Sequence, residues 1–179
     1  MAHRHSHTKA HSHRDDLAGE HSTGDIGQLA FALLFAAIWI GDTFILEYTS
    51  FLNEYVPACV RAAVGFPVLL ISAYLAKTGL SIVFDEKREH TGVIRESVFG
   101  VVRHPIYLSE ILAYLGLLIL NISLASAVVL IAAIAFLHFI SRYEEKLLLE
   151  RFGEEYERYM REVPMWIPRF RRSTQHSRK

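Results

Sequence analysis

Four apolar runs, at residues 26–46, 56–80, 106–120 and 124–140, constrain this chain more than any other feature. About 20 apolar residues are enough for a helix to cross a hydrocarbon core of about 30 Å. The first two runs meet that length. The third has 15 residues and covers roughly 22 Å at about 1.5 Å per residue, so it is expected to tilt, to re-enter, or to borrow residues through Leu124. Residues 121–123 make a turn and the fourth run returns. The expected fold is an all-α integral membrane protein with about four transmembrane helices, the last two forming a C-terminal hairpin, followed by an amphipathic interfacial helix.

Composition agrees. The chain is 51% hydrophobic and 21% charged, with mean hydropathy +0.21, too apolar for a small soluble domain. Formal net charge is zero, but the charges are sorted by region. One cysteine, Cys59, rules out an intrachain disulfide and a cysteine metal cluster. It reads as a small buried apolar residue.

Three regions follow. Residues 1–25 form a His-rich polar tail, expected to be disordered, with no apolar core of a cleaved signal peptide. Residues 26–168 form the membrane domain, and residues 169–179 a basic tail suited to anionic headgroups. With four spans, only Arg61 of the 19 Lys and Arg residues falls on or near one side. The positive-inside rule then places both termini in the cytoplasm, and so compact a chain points to a prokaryotic inner membrane.

Within the spans, Asp42 is expected at the far interface rather than buried, and Arg61 is expected to snorkel. Gly65 and Pro67 should loosen the second helix. Residues 85–90 read as a solvated charge run and residues 92–100 as a loop with some β character. After residue 140, Leu147, Leu148, Phe152, Tyr156, Tyr159 and Met160 recur at three- and four-residue steps, the pattern of a helix lying on the membrane surface or docked over the bundle. Trp166 and Ile167, between Pro164 and Pro168, read as an interfacial anchor.

Chemistry concentrates where polar segments meet apolar ones. Proline favours the first position of a helix and pushes the residue before it to an extended conformation, so a helix should begin at Pro105, after Arg103 and His104. The N–H groups of Ile106, Tyr107 and Leu108 then make an anion site. Glu144 and Glu145, expected to close the partner helix nearby, suit a cation. Tyr107 and Phe99 add aromatic surface. A carboxylate site beside an ammonium site, with room for a flat ring and a sulfonium, would accommodate S-adenosylmethionine. The alternative is structural: Arg103 and Arg142 pair with Glu144 and Glu145 and tie two helix ends together. Glu110 lies in the third run on the face of Tyr107 and Tyr114. As an ionisable group inside a span it is a functional candidate, or a hydrogen-bonded carboxyl that stitches helices. His138 reads as a structural histidine.

Arg103-His104-Pro105-Ile106-Tyr107 is followed by Glu144, Glu145, Leu148, Phe152, Gly153, Tyr156, Tyr159, Val163, Pro164 and Pro168. This pattern, over roughly residues 90–168, resembles the membrane-embedded isoprenylcysteine carboxyl methyltransferase and phospholipid methyltransferase family. The resemblance implies S-adenosylmethionine bound by His104, Pro105, Ile106, Tyr107 and Glu144, with contacts from Val93, Ile94 and Phe99. It implies a lipophilic or lipid acceptor drawn from the membrane, direct in-line methyl transfer, and no nucleic-acid partner. Glu110, Arg142 and Glu145 are the candidate catalytic groups. Two departures bear on the acceptor: Ile140 stands where prenylcysteine-specific members carry an arginine, and Phe99 where tyrosine is frequent. Competing readings are a membrane reductase using a nicotinamide cofactor, which the Glu144–Glu145 pair disfavours, and a non-enzymatic protein whose His3, His5, His7, His11 and His13 hold a metal. A solvated tail with incidental metal affinity is the favoured view of those histidines.

Overall fold

The computed structural model describes residues 22–84 and 92–168. The tail histidines, the 85–90 charge run and the 169–179 basic segment lie outside the described residues. Within them every regular element is helical: α1 (Ser22–Gly41), which continues as a π-helical turn (Asp42–Leu46); a 3₁₀ turn (Phe51–Glu54); α2 (Ala58–Val83); a 3₁₀ turn (Ser97–Gly100); α3 (Pro105–Leu120); α4 (Leu124–Phe152); and α5 (Glu154–Glu162). The stretch expected to have β character is instead a loop with the second 3₁₀ turn. Gly24–Leu46, α2 and α4 are each long and apolar enough to cross a membrane, and α3 is a shorter apolar helix. Their outward faces are apolar, as at Leu70 (71% exposed) and Phe139 (68%), and suit contact with lipid chains. Cys59, expected to be buried, is exposed.

The helices pack in pairs, α2 on α3 and α1 on α4. A seam of small residues explains the first pair. Gly65, Ser72 and Gly79, seven residues apart on α2, are all buried. They face Gly116, Ser109 and Ile106 of α3. A Cβ on Gly116 would lie 2.7 Å from Leu69 Cδ2 and 3.3 Å from the Gly65 carbonyl; one on Gly79 would lie 2.9 Å from Ile106 Cγ1. Between them Ser72 Oγ donates to the Ser109 carbonyl at 2.6 Å. Small residues at a seven-residue period let two membrane helices approach backbone to backbone. Gly65 therefore tightens a contact instead of loosening a helix, and α2 runs unbroken through Pro67. The second pair closes on aromatic rings. Phe31 meets Phe136 at 5.1 Å, while Phe35 reaches across to stack on Tyr114 of α3 at 4.5 Å and belongs to the buried cluster with Val129, Ala133 and Leu137.

Polar side chains tie the far ends of all four helices. Asp42 lies at this end but is buried, where an open charge was expected. It accepts from the Thr49 N–H at 3.0 Å and hydroxyl at 2.5 Å. Arg61, one turn inside α2, is engaged at the helix ends, where its Nε donates to the Val56 carbonyl at 3.0 Å. Its guanidinium turns inward to the Leu120 carbonyl at 2.5 Å, Asn53 Oδ1 at 2.7 Å and Asn121 Oδ1 at 3.1 Å, and so caps the C-terminus of α3, where unpaired carbonyls attract cations. Trp39 Nε1 donates to the Leu117 and Asn121 carbonyls. Ser123 caps α4 by accepting from Ser126 N–H.

The apolar fourth run and the first part of the amphipathic sequence after it, through Phe152, form one 29-residue helix. It ends at Gly153, whose φ of +52° is a conformation that costs a side-chain-bearing residue. Gly153 N–H bonds back to Leu149 and its carbonyl receives Glu157 N–H, so one residue ends α4 and starts α5. Trp166, read as an interfacial anchor, is half-buried against the core and meets His138 edge-on at 5.5 Å. Ile167 remains 81% exposed.

Because the α2–α3 seam has no room for a side chain at Gly116, Gly116→Leu should lower stability by about 1–3 kcal/mol through overpacking. Thermal unfolding in detergent reads this as a lower Tm, partly restored by Leu69→Ala in the same chain.

Candidate active site at the start of α3

His104, with φ −120°, ψ 66°, precedes Pro105, the first residue of α3, as the proline rule requires. The first turn of a helix leaves its N–H groups without partners in the helix. The third of the three donors expected here is taken, since Leu108 N–H bonds the His104 carbonyl at 3.0 Å. The open donors are those of Ile106 and Tyr107.

Two turns before its end, α4 brings Glu144 and Glu145 to this point. They lie inside the helix, not at its close. The Tyr107 hydroxyl donates to Glu144 Oε1. The His104 and Tyr107 rings lie parallel, 3° apart, with centroids 5.5 Å apart. His104 sits between the two carboxylates: Nδ1 is 3.6 Å from Glu144 Oε2 and Nε2 is 3.4 Å from Glu145 Oε1. Glu144 keeps part of its surface open, with a side chain 13% exposed against 3% for Glu145.

Glu145 is committed to Arg103. Arg103 Nε and Nη2 both reach Glu145 Oε1 at 2.7 Å, and Nη1 donates to the Met160 carbonyl at 3.0 Å and the Val163 carbonyl at 2.5 Å. Glu145 Oε2 is buried and accepts no hydrogen bond among the described residues; Arg142 Nη1, on a largely exposed side chain, lies 3.9 Å away. Of the pairings foreseen for a purely structural role, Arg103 with Glu145 is therefore the close one.

The C-terminal segment closes over these groups. Arg103 N–H bonds the Pro164 carbonyl at 2.9 Å, and His104 N–H bonds the Met165 carbonyl at 3.3 Å. The Tyr159 hydroxyl donates to the Phe99 carbonyl at 2.7 Å. Arg95 donates to the Glu155 carbonyl at 2.7 Å and lies over the Tyr159 ring at 5.3 Å. Val93 packs on the buried Tyr156, Tyr159 and Val163. Burial pushes the Tyr156 and Tyr159 hydroxyls above the ordinary tyrosine range, so both stay protonated donors.

The structure thus brings His104, Pro105, Tyr107, Glu144 and Glu145 together and holds the loop of Val93, Ile94 and Phe99 against α5. Ile106 turns its side chain to Gly79 on α2, leaving its backbone N–H as what it offers the site. Glu110 lies deeper in α3 and accepts from the Tyr114 hydroxyl. Sequence reasoning missed the carbonyls of Met160 and Val163 as anchors for Arg103. Backbone acceptors carry no side-chain signature, although the spacing of Val163-Pro164 after α5 marks where the chain turns back.

Removing the partner of a buried charge is costly. Glu145→Ala, which strands Arg103 at 8% side-chain exposure, should destabilise the protein by about 3–5 kcal/mol, measured by chemical or thermal unfolding in detergent.

The chain is 29% identical over 132 residues to the Protein-S-isoprenylcysteine O-methyltransferase of Schizosaccharomyces pombe, covering 69% of this chain and 56% of that protein. It is 25% identical over 114 residues to Protein-S-isoprenylcysteine O-methyltransferase B of Arabidopsis thaliana, covering 58% of this chain and 57% of that protein. It therefore spans little more than half the length of either relative. No solved structure matches it. Residues 59–155, from the start of α2 to the start of α5, match the phospholipid methyltransferase family, and the chain belongs to that family.

Proposed function

We propose that this protein is a membrane methyltransferase that takes its methyl group from S-adenosylmethionine and delivers it to a lipid-like acceptor reached from the bilayer. The observation that carries this reading is the array at the start of α3: a partly open Glu144 carboxylate, held by Tyr107 and flanked by His104, next to the open N–H groups of Ile106 and Tyr107.

The chemistry of these groups fits the donor. The Glu144 carboxylate would hold an ammonium group, and the first turn of α3, with its positive partial charge, would hold a carboxylate. Together they suit the two charges of an amino-acid end. The Tyr107 ring offers a face to a flat base or a cation, and the loop of Val93, Ile94 and Phe99 supplies apolar walls. Bound there, S-adenosylmethionine would supply an activated methyl group on a sulfonium. A nicotinamide dinucleotide fits less well, because Arg103 is already engaged by Glu145 and two carbonyls and does not reach for phosphates.

The chain's own contribution to rate is then chiefly orientation of donor and acceptor. A carboxylate acceptor needs no base. An amine acceptor must lose a proton. For that role Glu110 is the better candidate of the two carboxylates, since Glu145 is tied to Arg103 and His104. Arg142, exposed on α4, is a candidate to face the acceptor's head. The distribution of Lys and Arg supports placing the site, and both termini, on the cytoplasmic side, opposite the Arg61–Asn121 end.

Calorimetric titration of the detergent-purified protein with S-adenosylmethionine and S-adenosylhomocysteine tests the reading. Wild type should bind both, and Glu144→Ala and His104→Gln should each weaken binding by about tenfold or more, the scale of a lost charge-assisted hydrogen bond. Well-folded wild type that binds neither, in detergent and in lipid, would sink it.

A further inference from the structure

We infer that Arg103 is a positioning residue for this site: acting through Glu145, it fixes how the His104 imidazole is presented to Glu144 and to a bound donor. The inference rests on the reading that His104, Tyr107 and Glu144 hold that donor.

Arg103 and Glu145 are too enclosed to meet a ligand themselves, at 8% and 3% side-chain exposure. Glu145 puts its close polar contacts on one oxygen, with only the exposed Arg142 guanidinium 3.9 Å from the other. Oε1 takes Arg103 Nε and Nη2 at 2.7 Å and faces His104 Nε2 at 3.4 Å, while Oε2 accepts no hydrogen bond among the described residues. A free carboxylate could rotate and offer either oxygen. The guanidinium fork prevents this, because the same group is pinned on its other edge by the Met160 and Val163 carbonyls. The position of Oε1 is therefore set by four contacts that do not involve His104.

That matters because an imidazole between two carboxylates has two comparable seats. Arg103 already neutralises Glu145, so His104 is not required there as the counter-ion. Its Nδ1 edge stays turned to Glu144 and its face stays parallel to Tyr107. Its backbone is held separately by the Met165 carbonyl, which leaves ring orientation as the property the ion pair governs. Lysine at position 103 would keep the charge but could not serve the carboxylate and two carbonyls as a planar fork does.

The test is a double-mutant cycle on S-adenosylhomocysteine affinity, using wild type, Arg103→Lys, His104→Gln and the double variant, with Glu144→Ala as the control for the site itself. Two residues that act through one another give non-additive losses; independent ones add. Each single variant should weaken binding by about tenfold, and the double variant by about tenfold as well instead of about a hundredfold. Additive losses, or unchanged affinity in Arg103→Lys, would overturn the inference, since a merely structural Arg103 changes stability without coupling to His104. Should Arg103→Lys not fold, the isosteric Glu145→Gln takes its place in the same cycle. Failure of both to fold would make the pair a foundation of the fold and not a positioning device. Wild type that binds no donor removes the reading beneath the inference, a result distinct from additivity in a protein that binds.

Discussion

The closeness of α2 and α3 is the constraint on which the rest depends. Between lipid chains no hydrophobic force favours one helix pairing over another, so packing and the fit of small residues decide. Gly65, Ser72 and Gly79 give α3 one seat on α2. The seam ends at the candidate site: the Cβ position of Gly79 meets Ile106 and lies 3.8 Å from Pro105 Cγ. The first turn of α3, which carries His104, Pro105 and Tyr107, is thus placed by the absence of a side chain on a neighbouring helix.

The two ends of the bundle are built differently. At the far end, side chains bond mostly to backbone: Trp39 to two carbonyls, Arg61 to the end of α3, Asn53 to Ile122. Such contacts set helix ends and the hairpin turn. At the near end, side chains bond mostly to one another, from Arg103 through Glu145 and His104 to Glu144 and Tyr107. Low local dielectric strengthens such a chain when it is satisfied and penalises it when it is not. The loop at 92–100 and α5 are then laid over it by Arg95 and Tyr159.

Much of this was legible in the sequence, for physical reasons. Apolar length fixed the spans, and the proline rule fixed the start of α3 to the residue. The short turn at 121–123 brought Glu144 and Glu145 to that start. What failed was reading residues by their average behaviour. Gly65 was expected to loosen a helix, because the seven-residue recurrence with Ser72 and Gly79 is visible only when α3 supplies its complement in Ser109 and Gly116. Asp42 and Arg61 were read as open charges near an interface, because their partners, Thr49, Asn53 and the carbonyl of Leu120, belong to turns and helix ends whose geometry the sequence does not spell out. Trp166 has the flanking prolines of an interfacial anchor but finds a core site over His138. The break at Gly153 also divides what the periodicity shows as one amphipathic stretch, since a three- to four-residue pattern runs through the bend without interruption.

The brevity of α3 has a consequence for depth. Sixteen residues rise roughly 24 Å, against a hydrocarbon core of about 30 Å. Were the Asn121 end to sit at one face of such a core, the His104 end would fall roughly 6 Å short of the other. Drawing a lipid out of the bilayer by that distance would bare several methylenes, each costing about 0.8 kcal/mol. For the proposed lipid-like acceptor, a site at such a depth would spare that cost: the head group would come to the site while the chains remained immersed.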